Sequence, residues 1–270
     1  GRLSPMVNGC IQAFPWDHWQ EEFALASTLG IGVMEWTLDQ KRLYENPLLA
    51  TSGQKKISDL CRHNGISIPS ITGDCFMQAP FWKCSGQERE TLQNDLMAII
   101  EACATIGIVF IVVPLVDEGC LENKEQEDTL VKFLQSQEDF FSDKGVQILF
   151  ECDFEPEKLA RFIARLDSKI FGINYDIGNS VGLGFSPAEE FEAYGNRIKN
   201  IHIKDRLFGG ATVPLGTGDA DFETVFSLLA GLNYKGNYIL QTARAIDNDH
   251  AKILGLYYKM SKDWIESYGA

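Results

Sequence analysis

The stretch IVFIVVPLV, residues 108–116, has no polar side chain and is dominated by β-branched residues. A strand that is apolar on both faces has to be covered on both, so it reads as a buried strand of a parallel sheet. Its flanks fit that reading. Residues 87–106 form a long amphipathic helix pattern that stops at Gly107, and residues 124–144 form another that stops at Gly145. A second strand, VQILFE at 146–151, follows directly.

The same alternation runs along the rest of the chain. Strands are expected at 31–36, 66–72, 171–176, 199–205 and 238–241, and helices at 54–64, 157–166, 221–232 and 249–268. Pro156 suits a first helical turn, and Ser186-Pro187 with Glu189 and Glu190 opens another helix. These are seven strands, each followed by a helix. Residues 19–29 also read as a helix, with no strand before them. The economical completion takes residues 1–3 as the remnant of an eighth, N-terminal strand, truncated at the start of the chain. The expected class is therefore α/β, a (β/α)8 TIM barrel forming a single domain over residues 1–270. An open doubly wound sheet is the rival, but no GxGxxG opens a helix after a strand.

Composition narrows the function. The 270 residues carry a formal net charge of −14, and Lys and Arg form no long run. That argues against a nucleic-acid or anionic-membrane surface, while leaving room for a local basic pocket. Seven cysteines, an odd number with no CxxC, suit reduced thiols and a cytoplasmic location. No apolar run reaches the roughly 18 residues of a membrane span, and no signal peptide is visible. The expected partner is a small molecule, and a homo-oligomer is compatible with this reading.

In a barrel the chemistry sits where strands end. Glu151 ends VQILFE, Asp176 ends FGINYD, His202 lies in KNIHIKD, and Gln241 ends NYILQ. Residues two apart on a strand share a face, so Asn200, His202 and Lys204 point one way and Ile201 and Ile203 the other. Buried carboxylates are costly unless they are paired or bind a metal. Glu, Asp and His at neighbouring strand ends make a mixed oxygen and nitrogen site for a divalent cation, Mn, Mg, Co or Zn, with Gln241 as a neutral fourth oxygen. Taken one at a time, each has a plainer reading as an internally hydrogen-bonded core residue. Glu35 and Asp74, where two more strands end, are candidate pocket residues.

FECD, NYDIGNS, NIHIKDR and VPLGTGDADF, in that order and spacing, resemble the xylose-isomerase-like TIM-barrel superfamily, and within it the sugar phosphate isomerase/epimerase group. The resemblance extends over the whole chain. It implies a divalent metal held by a Glu, an Asp, a His and a second Glu, which fall on Glu151, Asp176, His202 and position 241. It also implies that the two Glu residues act as the acid/base pair that moves a proton beside a carbonyl.

Here position 241 is Gln, which keeps an oxygen but cannot carry the proton. Glu151 can still act as a base, and Lys204 is a candidate for the second proton-transfer group. Arg206 and Arg244 can hold a phosphate or carboxylate, although surface ion pairs would explain both. Asn179 can bond a sugar hydroxyl. In VPLGTGDADF, Gly216 and Gly218 allow a tight turn and Asp219 or Asp221 can cap the next helix. The expected function is a metal-dependent isomerase or epimerase of a sugar or sugar phosphate. The alternatives are a dehydratase of a polyol ketone and a sugar-binding barrel that has lost catalysis.

Overall fold

The computed structural model describes residues 1–269. In chain order the regular elements begin with α1 (Glu21–Thr28), β1 (Val33–Thr37), α2 (Thr51–Asn64), β2 (Ser67–Thr72) and α3 (Asp74–Gln78). Next come α4 (Gly86–Ile106), β3 (Phe110–Leu115), α5 (Lys124–Ser136), α6 (Glu138–Lys144), β4 (Gln147–Cys152) and α7 (Pro156–Ile163). Then follow β5 (Phe171–Asp176), α8 (Ile177–Leu183), α9 (Pro187–Tyr194), β6 (Ile198–Ile203), β7 (Asp205–Arg206) and β8 (Thr212–Val213). The chain closes with α10 (Phe222–Gly231), β9 (Asn237–Leu240) and α11 (His250–Tyr268).

The chain divides into two compact units, one of residues 32–152 with 162–172, the other of residues 1–31, 153–161 and 173–270. In the first, β1, β2, β3 and β4 pair in parallel in that order, with Val112 beside both Thr72 and Leu149. The stretch 108–116 is central here, since Ile111, Val112 and Leu115 are fully buried. Phe141 and Phe171, and Phe150 and Phe162, meet edge to face in the same core.

In the second unit β5, β6 and β9 carry the sheet. Asp176 lies opposite His202, Asn174 opposite Asn200, and Ile203 opposite Leu240. Every residue of β5 is buried. Outside the strands, Phe226 lies near Tyr238 and Trp264, and Phe222 stacks on Trp264 at 4.2 Å, which joins α10, β9 and α11.

Three expectations are corrected, and one helix is found that was not expected. Residues 1–3 form no strand: the backbone N–H groups of Leu3 and Ser4 go to the buried Glu22 carboxylate at 3.0 and 2.8 Å. The helix expected at 124–144 is two helices, broken at Gln137. The strand expected at 199–205 ends at Ile203, and Asp205–Arg206 turns to pair antiparallel with Thr212–Val213. A helix also follows β5 directly, since Asp176 accepts from the Asn179 N–H at 2.9 Å and caps α8.

Candidate functional site

The second unit builds the site from three strand ends. His202 and Asn200 are completely buried on β6, and Asn174 and Asp176 match them on β5. The two amides orient the ring. Asn200 Nδ2 donates to Asn174 Oδ1 at 2.7 Å, which turns Asn174 Nδ2 toward His202 Nδ1, 3.0 Å away. Asp176 Oδ2 lies 3.8 Å from the same ring nitrogen.

Lys204 follows His202 by two residues and stays on its side. Its Nζ lies 2.6 Å from Asp176 Oδ2 and donates to Gln241 Oε1 at 2.9 Å. The contact with Oδ2 is an ion pair rather than an aligned hydrogen bond. Burial alone would raise the Asp176 carboxyl. The Lys204 ammonium and the His202 ring outweigh it and hold the group at about 2. Asp176 is therefore an anion at neutral pH, suited to a cation and unsuited to donating a proton.

Helix α8 gives these side chains their path. A Cβ on Gly178 would stand 2.6 Å from Lys204 Cγ, and one on Gly182 would stand 2.9 Å from Arg206 Cζ. Glycine at both positions lets the two long side chains lie flat against the helix. Arg206 then donates through Nη1 to Asn179 Oδ1 at 3.2 Å, and through Nε and Nη2 to the Gly210 carbonyl.

Asp176, His202, Lys204, Gln241, Asn179 and Arg206 are thus gathered in one unit. Arg244 is turned elsewhere. Its guanidinium donates to the backbone carbonyls of Ile11 at 3.0 Å, Ser4 at 2.7 Å and Gly1. Burial pulls that guanidinium below its ordinary range, against Glu22, which supports its charge.

In the other unit, Glu151 is buried next to the end of β4, opposite Pro114 of β3. Glu35 lies inside β1 and accepts from Ser70 Oγ at 2.6 Å. Asp74 is buried in the first turn of α3. Glu151 in this unit, and Asp176 and His202 in the other, are each buried. Carboxylate and imidazole donors fit Mg, Mn, Co or Zn.

Three residues around the site escaped the sequence reading. Asn174 lies on β5 two residues before Asp176 and shares its face. Asp205 is 1% exposed and accepts from the N–H groups of Gly216 at 2.8 Å, Gly218 at 2.9 Å and Ala220 at 3.2 Å, pinning the glycine-rich turn. Glu190 accepts from Tyr175 at 2.8 Å, from Tyr194 at 2.7 Å and from Ser180, tying β5, α8 and α9 together. Only the first-turn position of Glu190 was readable. Asp221 does cap α10, accepting from the Thr224 N–H at 3.0 Å.

The xylose isomerase-like TIM barrel family matches residues 23–265, and the chain belongs to it. An L-ribulose-5-phosphate 3-epimerase of Salmonella paratyphi A is 23% identical over 92% of this chain and 89% of its own length. An inosose dehydratase of Clostridium botulinum is 28% identical, but the match spans 46% of this chain and 49% of that one. A xylose isomerase-like TIM barrel protein from Mycobacterium smegmatis, solved in complex with magnesium, superposes with a TM-score of 0.69 at 18% identity, covering 97% of this chain and 92% of that one. The fold is that of the TIM barrel, as the strand–helix alternation predicted, with seven strands formed in the main sheet. No disulfide joins the seven cysteines among the described residues, and no helix among them is long and apolar enough to cross a membrane.

Proposed function

We propose that the chain is a divalent-metal-dependent isomerase or epimerase that moves a proton beside the carbonyl of a sugar or sugar phosphate. The observation that carries this is the buried, anionic Asp176 beside the buried His202 in a chain of this family. The epimerase names among relatives and neighbours support an enzyme of this kind. A bound divalent cation supplies the Lewis acid that lowers the cost of forming negative charge beside the carbonyl.

The chain's own residues divide the remaining work. Asp176 and His202 hold the cation, with the Asn200–Asn174 pair fixing the ring. Glu151 takes the proton from the substrate carbon. Lys204, held between Asp176 and Gln241, is the group that returns one, because Gln241 has no titratable proton. Asn179 orients a substrate hydroxyl, and Arg206 fixes its amide by donating to Oδ1.

Metal content and turnover in Glu151→Gln and His202→Ala variants test this reading. Both variants are expected to lose most of the bound metal and at least about a hundredfold in rate. Unchanged metal content and turnover in both would remove it.

A second reading keeps the metal and the proton abstraction but ends in loss of a hydroxyl. The partial match to inosose dehydratases favours it, as does the missing second carboxylate. Product analysis by NMR separates the two, since dehydration removes an oxygen and epimerisation keeps every atom.

A further inference from the structure

We propose that the substrate is an uncharged keto-sugar or polyol ketone rather than its phosphate ester. This rests on the proton-transfer reading above and narrows it.

A phosphate in a TIM barrel is commonly held by backbone N–H groups of the late strand–helix loops and by a nearby helix start. The glycine-rich turn after β6 is the natural place for such a cradle, and it is already filled by a carboxylate. The N–H groups of Gly216, Gly218 and Ala220 all donate to Asp205, which is 1% exposed. The N–H of Phe208 donates to Asp219 at 2.8 Å. After β9, Asp247 accepts from the Asp249 N–H at 3.1 Å, and Asp249 accepts from the Lys252 N–H at 3.2 Å at the start of α11. These six N–H groups already have an internal carboxylate acceptor.

Most of the cations that follow the strands are committed as well. Lys204 serves Asp176 and Gln241, Arg206 serves Asn179 and Gly210, and Arg244 serves three backbone carbonyls. In the other unit Arg42 pairs with Glu45 at 2.7 Å and Lys83 with Glu122 at 2.6 Å. The segments 116–123 and 153–155, which follow β3 and β4, contain Asp117, Glu118, Glu122, Asp153 and Glu155 but no Lys or Arg. A phosphate dianion arriving at these strand ends would meet carboxylates and spent donors. Like charges so placed repel, and water no longer screens them fully. Neutral hydroxyls meet the same carboxylates and amides as hydrogen-bond partners, without that penalty.

The test incubates the manganese-loaded protein in deuterium oxide with matched pairs of ketopentoses and ketohexoses and their terminal phosphate esters. NMR follows exchange of the proton beside the carbonyl. The expected result is exchange with at least one unphosphorylated ketose, at a kcat/KM at least about tenfold above that of its own phosphate. A phosphate ester that exchanges as well as or better than its parent sugar overturns this inference and leaves the proton-transfer reading standing. No exchange with any pair overturns both.

Discussion

Lys204 Nζ donates to Gln241 Oε1 at 2.9 Å, so the amide at the end of β9 is engaged with a lysine on the neighbouring strand. The same ammonium neutralises Asp176. Gln241→Glu would place a second carboxylate against one ammonium and restore the anionic oxygen that the family resemblance implies at this position. The variant is expected to bind Mn²⁺ at least about tenfold more tightly in a calorimetric titration, because a fourth, charged oxygen joins a hard-donor set. Equal affinity in the two proteins would show that position 241 stays with Lys204 whichever residue fills it.

Lys204→Met separates proton return from metal holding. Removing the ammonium frees Asp176 for the cation, so manganese affinity should hold or rise. Exchange of substrate protons with solvent should fall by at least about a hundredfold, chiefly in kcat. A variant that keeps full kcat would exclude Lys204 from proton transfer.

Arg244 points at the start of the chain, and its prediction is one of stability. Arg244→Ala removes the donors to the Gly1, Ser4 and Ile11 carbonyls and is expected to cost roughly 2–3 kcal/mol in urea unfolding. Hydrogen exchange should rise within residues 1–12. Retained protection there would contradict the tether.

Much of this was readable beforehand, and the exceptions have physical causes. Buried apolar runs such as 108–116 mark strands because β-branched residues covered on both faces have few other places to go. Asp176 and His202 were visible because a polar group ending such a run is costly without a role. Helix α8 was not visible: IGNSVGL contains two glycines, which disfavour helix, and forms one through the Asp176 cap and close contact with Lys204 and Arg206. The break at Gln137 carries no Gly or Pro to announce it. The commitment of Arg244 to carbonyls 233 to 243 residues away leaves no local signal.

Glu190 gives a pH prediction. Burial raises its carboxyl above the ordinary 4.5, against the lowering effect of Ser180, Tyr194 and Tyr175. The folded state therefore holds this proton more tightly than the unfolded chain. Its contribution to stability is full below about 4.5 and is lost as pH rises through the folded value. In urea midpoints measured across that window, Glu190→Gln should flatten this fall relative to the parent. Parallel curves would show that the group does not titrate differently on folding. Glu190→Ala removes the carboxylate that accepts from Tyr175, Tyr194 and Ser180 and should cost about 2 kcal/mol.

The most direct measurement of the central claim strips the protein of metal with a chelator, then follows solvent deuterium entering a ketose beside its carbonyl before and after Mn²⁺ is restored. The account predicts that exchange stops on stripping, returns with about one equivalent of Mn²⁺ per chain, and does not return in His202→Ala. Exchange that continues undiminished in the stripped protein, or that His202→Ala recovers in full, would contradict it.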